Sequence, residues 1–230
     1  MSSKNRVTLI ICAAGSSSRM HGVKKEWHPM PDRPMSVLGA AVHAFMQSNR
    51  IQSIVISVPE HGEADALRAL DPSGSMLPQL VTGGSTRQES VFRALSSLSD
   101  DPPSYVLIHD GARPWVDSAL IGRVLDATMQ YNAAIPVIPL SDSPKELDDS
   151  GFILQHLTRS RIMLAQTPQG FRFPDILHAH EMAVRDNKNT YTDDAEVWGD
   201  YIGPVATVPG SAQNRKITVP EDINLYSVVS

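Results

Sequence analysis

Val7-Thr8-Leu9-Ile10-Ile11, followed by Ala13-Ala14-Gly15-Ser16-Ser17-Ser18-Arg19-Met20, is the stretch whose reading decides the fold. The first five residues are a continuous run rich in β-branched side chains, as expected of a strand buried on both faces. The small-residue loop after it lets backbone N–H groups approach a ligand closely, and Arg19 adds a fixed positive fork. Lys24 and Lys25 follow at once. A strand that ends in such a loop opens a βαβ unit, and the rest of the chain repeats the pattern. Pro34 opens a helix whose Leu38, Ala41, Val42 and Phe45 form one apolar stripe. Ser53-Ile54-Val55-Ile56-Ser57-Val58 reads as the next strand, Glu60 to Leu70 as a helix, and Leu80-Val81 as a short strand. Thr86-Arg87-Gln88-Glu89 has capping-box form and leads into a helix with Val91, Leu95 and Leu98 on one face. Tyr105-Val106-Leu107-Ile108 is a fourth strand, Asp117 caps a helix carrying Leu120, Ile121, Val124 and Leu125, and Ala134 to Leu140 is a fifth strand.

This alternation predicts an α/β fold, a doubly wound and mostly parallel sheet in one domain over residues 1–230. The rhythm breaks at the polar stretch from Ser141 to Gly151, which reads as an excursion with Phe152 to Leu157 as its returning strand. That strand has no obvious partner among the first five. A protruding arm at about 141–160 that pairs with a second copy of the chain is the expectation. Helical patterns resume near Pro174–Asn187 and Pro220–Val228.

Composition narrows the class. With 230 residues, 41% of them hydrophobic, the chain can bury a substantial core. No apolar run approaches the roughly 18 residues of a membrane span, and the run from Val7 to Cys12 is too short for a secretory signal core. The lone Cys12 excludes an internal disulfide and a cysteine-based zinc cluster. A soluble, cytoplasmic protein is expected. The net charge is −5, yet residues 1–50 hold seven basic residues against Glu26 and Asp32. An acidic chain with a local basic start suits a small polyanion better than nucleic acid.

In parallel α/β sheets ligands bind beyond the carboxyl ends of the strands, so chemistry is sought in those loops. The first loop has only Gly15, which excludes the three-glycine dinucleotide fingerprint, and no Gly-Lys-Ser or Gly-Lys-Thr occurs anywhere. Four further stretches carry polar groups: His109-Asp110-Gly111-Ala112-Arg113-Pro114, Gln166-Thr167-Pro168-Gln169-Gly170-Phe171, Tyr191-Thr192-Asp193-Asp194-Ala195 and Asn214-Arg215-Lys216-Ile217-Thr218. Each also has a structural reading. Asp110 suits a turn after a strand, Thr192-Asp193-Asp194 a helix start, and Lys216 a solvated strand. The eight histidines show no metal-ligand spacing.

Taken in order and spacing, from Val7 to Leu225, these motifs resemble the 2-C-methyl-D-erythritol 4-phosphate cytidylyltransferases of the non-mevalonate isoprenoid pathway. The resemblance implies a Rossmann-like nucleotidyltransferase that joins CTP to a polyol phosphate and releases pyrophosphate, with Mg²⁺ as cofactor. It implies that Arg19 and Lys25 stabilise the transition state at the α-phosphate. Ala13, Ala14 and Gly15 would line the triphosphate, and Gly83, Gly84, Ser85, Ser90 and Gly111 would hold the nucleotide. Asp110 would contact the metal. Asp110, Arg113, Ser143, Arg159, Thr167, Thr192 and Lys216 would bind the polyol phosphate, with Arg159 and Lys216 orienting it, and Arg159 would cross to the partner of a homodimer. Lys24, Glu26, Ser85, Gly111 and Ser143 depart from the residues the family usually carries there. Two other readings stay open: a ribitol 5-phosphate cytidylyltransferase, and a nucleotide-binding module without turnover.

Overall fold

The computed structural model describes residues 5–17, 24–70 and 77–224. Ten strands and seven helices occur among them: β1 (Val7–Cys12), α1 (Val37–Met46), β2 (Ser53–Val58), α2 (Glu63–Ala69), β3 (Gln79–Thr82), α3 (Arg87–Ser96), β4 (Tyr105–Asp110), α4 (Ser118–Tyr131), β5 (Ala133–Pro139), β6 (Lys145–Leu147), β7 (Ile153–His156), β8 (Met163–Ala165), β9 (Gln169–Arg172), α5 (Phe173–Arg185), α6 (Asp194–Tyr201), β10 (Ala206–Pro209) and the single turn α7 (Glu221–Asn224). The main sheet runs β10-β5-β9-β4-β1-β2-β3, with β8 attached to β5. β3, β2, β1 and β4 are parallel, as are β5 and β10, while β8 and β9 run the opposite way.

Alternation along the central strands explains the two covered faces. Leu9 and Ile11 of β1 and Leu107 of β4 point into a core closed by Leu38 and Phe45 of α1 and by Leu120, Ile121 and Val124 of α4. Ile10, Val106 and Ile108 point the other way, onto Val91 and Leu95 of α3, Ile176 of α5 and Trp198 of α6. A strand buried on both sides has no polar alternation to show, which is why β1 reads as a continuous run.

Local signals fix several boundaries. Thr86 caps α3 by accepting from the Glu89 N–H (3.0 Å), and Asp117 caps α4 by accepting from the Leu120 N–H (2.7 Å). The helix expected to open at Pro34 begins at Val37, because Ser36 is its cap and residues 29–36 close a turn in which Met30 N–H donates to Met35 O (2.7 Å). The helix expected from Glu60 begins at Glu63, after a turn in which Gly62 N–H bonds Pro59 O. Residues 225–228, expected to be helical, lie outside the described residues.

The returning strand does exist as β7, and its partner is β6: the two form a separate hairpin within the chain. Leu147, Phe152, Ile153 and Leu154 of this hairpin are all more than half exposed. No helix among the described residues is long and apolar enough to cross a membrane.

Candidate active site

A cleft of about 390 Å³ opens at the carboxyl ends of β1 and β4 and beside the loop after β3. Ala14, Gly15, Lys25, Gly84, Ser85, Ser90, Asp110 and Lys216 of the expected site line it, together with Cys12, Glu26 and Arg87. Sheet register brings these loops together, since Cys12 at the end of β1 lies opposite Asp110 at the end of β4.

The loops after β1 and β3 are packed to backbone contact. A Cβ on Gly83 would stand 2.2 Å from the Ala14 Cβ and 2.9 Å from Ser90 Oγ, so only glycine lets the two loops meet. Ala13 is buried and donates its N–H to Ser57 O (2.9 Å). Gly111 donates to Cys12 O (3.0 Å), which ties the β4 loop to β1. Ser90 Oγ accepts from the Gly84 N–H (3.0 Å). Glu89 folds back to accept from both the N–H (2.7 Å) and the hydroxyl (2.8 Å) of Ser85, one residue before the group a capping box would use.

Lys25 sits in a 3₁₀ turn from Lys25 to Trp27. Its unusual neighbours pair with each other. Lys24 Nζ donates to Gly15 O and lies 3.9 Å from the buried Glu26 carboxylate, which also accepts from Ser17 Oγ (3.3 Å). Burial lowers the Lys24 pKa from its ordinary value, against the pull of Glu26.

Asp110 is the electrostatic centre. Lys216 Nζ is 2.9 Å and Arg113 Nε 3.3 Å from its Oδ2, and Arg87 Nε is 3.4 Å from its Oδ1. Burial alone would raise the carboxyl pKa, but Lys216, Arg87 and Arg113 hold it far below the usual carboxylate range. Thr167, at the break between β8 and β9, offers Oγ1 to the Asp110 N–H (3.0 Å) and shares a hydrogen bond with His109 Nδ1 (3.0 Å). Asn214 closes the ring of loops: its Nδ2 donates to Thr167 O (2.7 Å), and its carbonyl accepts from Arg113 Nη1 (2.9 Å).

Other expected residues stand apart. Arg19 lies outside the described residues. Ser143 is exposed, and Arg159, in an exposed 3₁₀ turn, donates from Nη1 to Ser141 O (2.9 Å); neither lines the cleft of this chain. Thr192 is exposed and bonded through its N–H and hydroxyl to Glu196, while Asp193 caps α6, so that motif does begin a helix. No group of three or more His, Cys, Asp or Glu able to hold a metal occurs among the described residues. Asp110, a strongly ionised carboxylate in the cleft wall, is the kind of single protein ligand that suits Mg²⁺, which takes few of them.

Arg87 and its buried partner Asp194 are not among the site residues the motifs single out. A signal for them is present nonetheless: a cation in the first turn of a helix opposes the helix dipole, so an arginine there calls for an acidic partner.

A doubly wound sheet with basic side chains gathered around one carboxylate at its strand ends places the chain among α/β proteins with a ligand cleft at that edge. Within that class, residues 7–229 match the family model of 2-C-methyl-D-erythritol 4-phosphate cytidylyltransferase (IspD), and the chain belongs to that family. It is 38% identical over 224 residues to the "Bifunctional enzyme IspD/IspF" of Nitrobacter hamburgensis, covering 96% of this chain and 54% of the relative. The chain thus spans about half the length of the curated relatives it matches. The 2-C-methyl-D-erythritol 4-phosphate cytidylyltransferase of Thermus thermophilus superposes with a TM-score of 0.77 at 31% identity, covering 96% of each chain. The 4-diphosphocytidyl-2C-methyl-D-erythritol synthase of Anaerococcus prevotii superposes with a TM-score of 0.80 at 28% identity, covering 95% of this chain and 93% of that one.

Proposed function

We propose that this chain transfers the cytidylyl group of CTP to 2-C-methyl-D-erythritol 4-phosphate, releasing pyrophosphate. The observation that carries the reading is the cleft itself, in which Lys25, Arg87 and Lys216 face a glycine-tight loop pair around Asp110. The reaction brings a triphosphate and a phosphomonoester to one phosphorus atom, so positive charge and positioning supply most of the catalysis. The acceptor phosphate needs no base, because its second pKa is about 6 and its oxygen is already ionised near neutral pH. That fits a cleft whose thiol, Cys12, is pushed up to about 12 by burial and is no nucleophile.

In this reading Lys25 meets the α-phosphate with Arg19, and the Ala13–Gly15 backbone cradles the triphosphate. The Gly83–Ser90 loop holds the cytidine. Lys216 and Arg113, now paired with Asp110, turn toward the acceptor phosphate as substrates enter, with Thr167 and Thr192 on the polyol side. Mg²⁺, held by Asp110, would neutralise phosphate charge. Cytoplasmic action belongs to the same reading, since the lone Cys12 needs no oxidising compartment. A homodimer completes the proposal. Leu147, Phe152, Ile153 and Leu154 leave apolar surface exposed on the hairpin that a second copy would cover, and Arg159 at its base would then serve the partner's cleft with Ser143 nearby.

The test is pyrophosphate release from CTP with 2-C-methyl-D-erythritol 4-phosphate, with ribitol 5-phosphate, and with no acceptor. Release with the first acceptor alone is expected. Preference for ribitol 5-phosphate would reassign the acceptor, and CTP binding with no release would leave a binding module.

A further inference from the structure

In the wall of the cleft, one guanidinium joins two carboxylates that come from distant parts of the chain. Arg87 opens α3, directly after the Gly83–Ser85 loop. Its Nε faces Asp110 Oδ1, and its Nη1 lies 2.8 Å from Asp194 Oδ2. Nη2 is buried and has no hydrogen-bond partner among the described residues, so the two carboxylates set the orientation of the fork.

Asp194 is itself immobilised. It is 1% exposed, its Oδ1 is 3.2 Å from Nε2 of the fully buried His180, and its N–H donates to Gln169 Oε1 (3.1 Å). Gln169 also accepts from the Ala195 N–H and donates to Asp193, so β9 pins the start of α6. Burial would raise the Asp194 carboxyl pKa, yet Arg87 and His180 hold it below the ordinary value. A paired, hydrogen-bonded charge in such a place keeps one geometry, since breaking the pair leaves an uncompensated ion.

Asp110 has two oxygens to present. With Oδ1 facing Arg87, Oδ2 is the oxygen left for Lys216 and Arg113. An Arg87 released from Asp194 is free to rotate and take both oxygens of Asp110 in a bidentate pair, which would displace Lys216.

We propose that Asp194 is a positioning residue of the transfer reaction: through Arg87 it fixes the plane of the Asp110 carboxylate and so the places of Lys216 and Arg113. His180 acts one step behind it, by holding the second Asp194 oxygen. The proposal rests on the reaction assigned above, and it concerns Asp194 and His180, which do not line the cleft.

The experiment compares wild type, Asp194→Asn, Arg87→Gln and the double variant. It measures folded fraction by circular dichroism, CTP affinity by calorimetry, and kcat and KM per folded molecule. Asp194→Asn is expected to lower kcat about tenfold or more while CTP affinity stays within about threefold. In the Arg87→Gln background the same substitution should cost nothing further, because its effect runs through Arg87. Losses that multiply independently, or a loss that only tracks the unfolded fraction, would overturn the proposal. Should Asp194→Asn fail to fold, His180→Leu replaces it, with a smaller fall in kcat expected that again vanishes in the Arg87→Gln background. A wild-type protein that binds CTP but turns over no acceptor removes the underlying reaction, and the proposal with it. Normal wild-type turnover with an unaffected Asp194→Asn removes the proposal alone.

Discussion

The β1–β4 centre and the β6–β7 hairpin both carry large aliphatic side chains and put them to opposite use. Leu9, Ile10, Leu107 and Ile108 are fully buried, whereas Leu147, Ile153 and Leu154 on the hairpin are more than half exposed. Two layers of helix close over the continuous apolar run of β1, whereas none among the described residues closes over the hairpin, whose strands interleave Lys145, Glu146, Gln155 and His156 with their aliphatic residues. The centre carries its own stability and presents Asp110 rigidly. The exposed aliphatic side chains of the hairpin bury against nothing among the described residues, and they are the surface that the proposed homodimer would cover.

The largest test of that contrast is a pair of truncations. Leu107→Ala should lower unfolding free energy by about 3 kcal/mol, within the range for a fully buried leucine whose site cannot collapse. Leu154→Ser on the hairpin should leave monomer unfolding nearly unchanged and weaken self-association, read by denaturant titration and by sedimentation. Equal destabilisation by both would mean that the hairpin packs on its own subunit.

A second pair asks where the two regions meet. Lys25→Ala should lower kcat/KM by about 10²-fold or more with the fold intact, as losing one donor at the developing charge does. Arg159→Ala on the arm should be inactive too. Mixing the two variants under conditions of subunit exchange should restore part of the activity, because one cleft in each mixed dimer regains Lys25 and a partner's intact arginine. Exchange without recovery would separate the arm from the chemistry.

The smallest effect concerns the centre alone. Burial holds His109 neutral down to about 4, whereas an unfolded histidine takes up its proton near 6.5. Between these values the unfolded chain binds more protons, so stability falls as pH drops. The loss between pH 7 and pH 5 should be about 2 kcal/mol, and His109→Gln should remove it. An unchanged slope in the variant would place the acid sensitivity elsewhere.

Legibility in the sequence follows the same divide. β1 and β2 are readable because doubly buried strands are continuous apolar runs, and α3 and α4 because Thr86 and Asp117 announce their starts. β8, β9 and β10 are not, and of α6 only the start at Thr192-Asp193-Asp194 is. β9 has only Phe171 as a large apolar residue, and Gly170 is there because a Cβ would stand 2.0 Å from Thr128 Oγ1, a reason visible only in three dimensions. The motifs locate Asp110, Lys216 and Thr167, but local spacing hides the Arg87–Asp194 pair, whose members are more than a hundred residues apart. The hairpin is legible as an excursion, while its internal β6–β7 pairing is not, since three exposed residues such as Lys145–Leu147 carry no periodic signal.

The reversed direction of β8 and β9 has a consequence for how this architecture can vary. β5 delivers the chain to the edge of the sheet where the cleft lies, and β8 and β9 carry it back down from that edge. Everything between Pro139 and Met163 is therefore an out-and-back detour that leaves and rejoins the sheet on one side, crossing no strand. Such a detour can lengthen, shorten or change its tip without re-registering a single central pair. The outline of the detour is thus uncoupled from the pairing of the sheet, while Thr167, where the chain passes from β8 to β9, keeps its bond to Asp110.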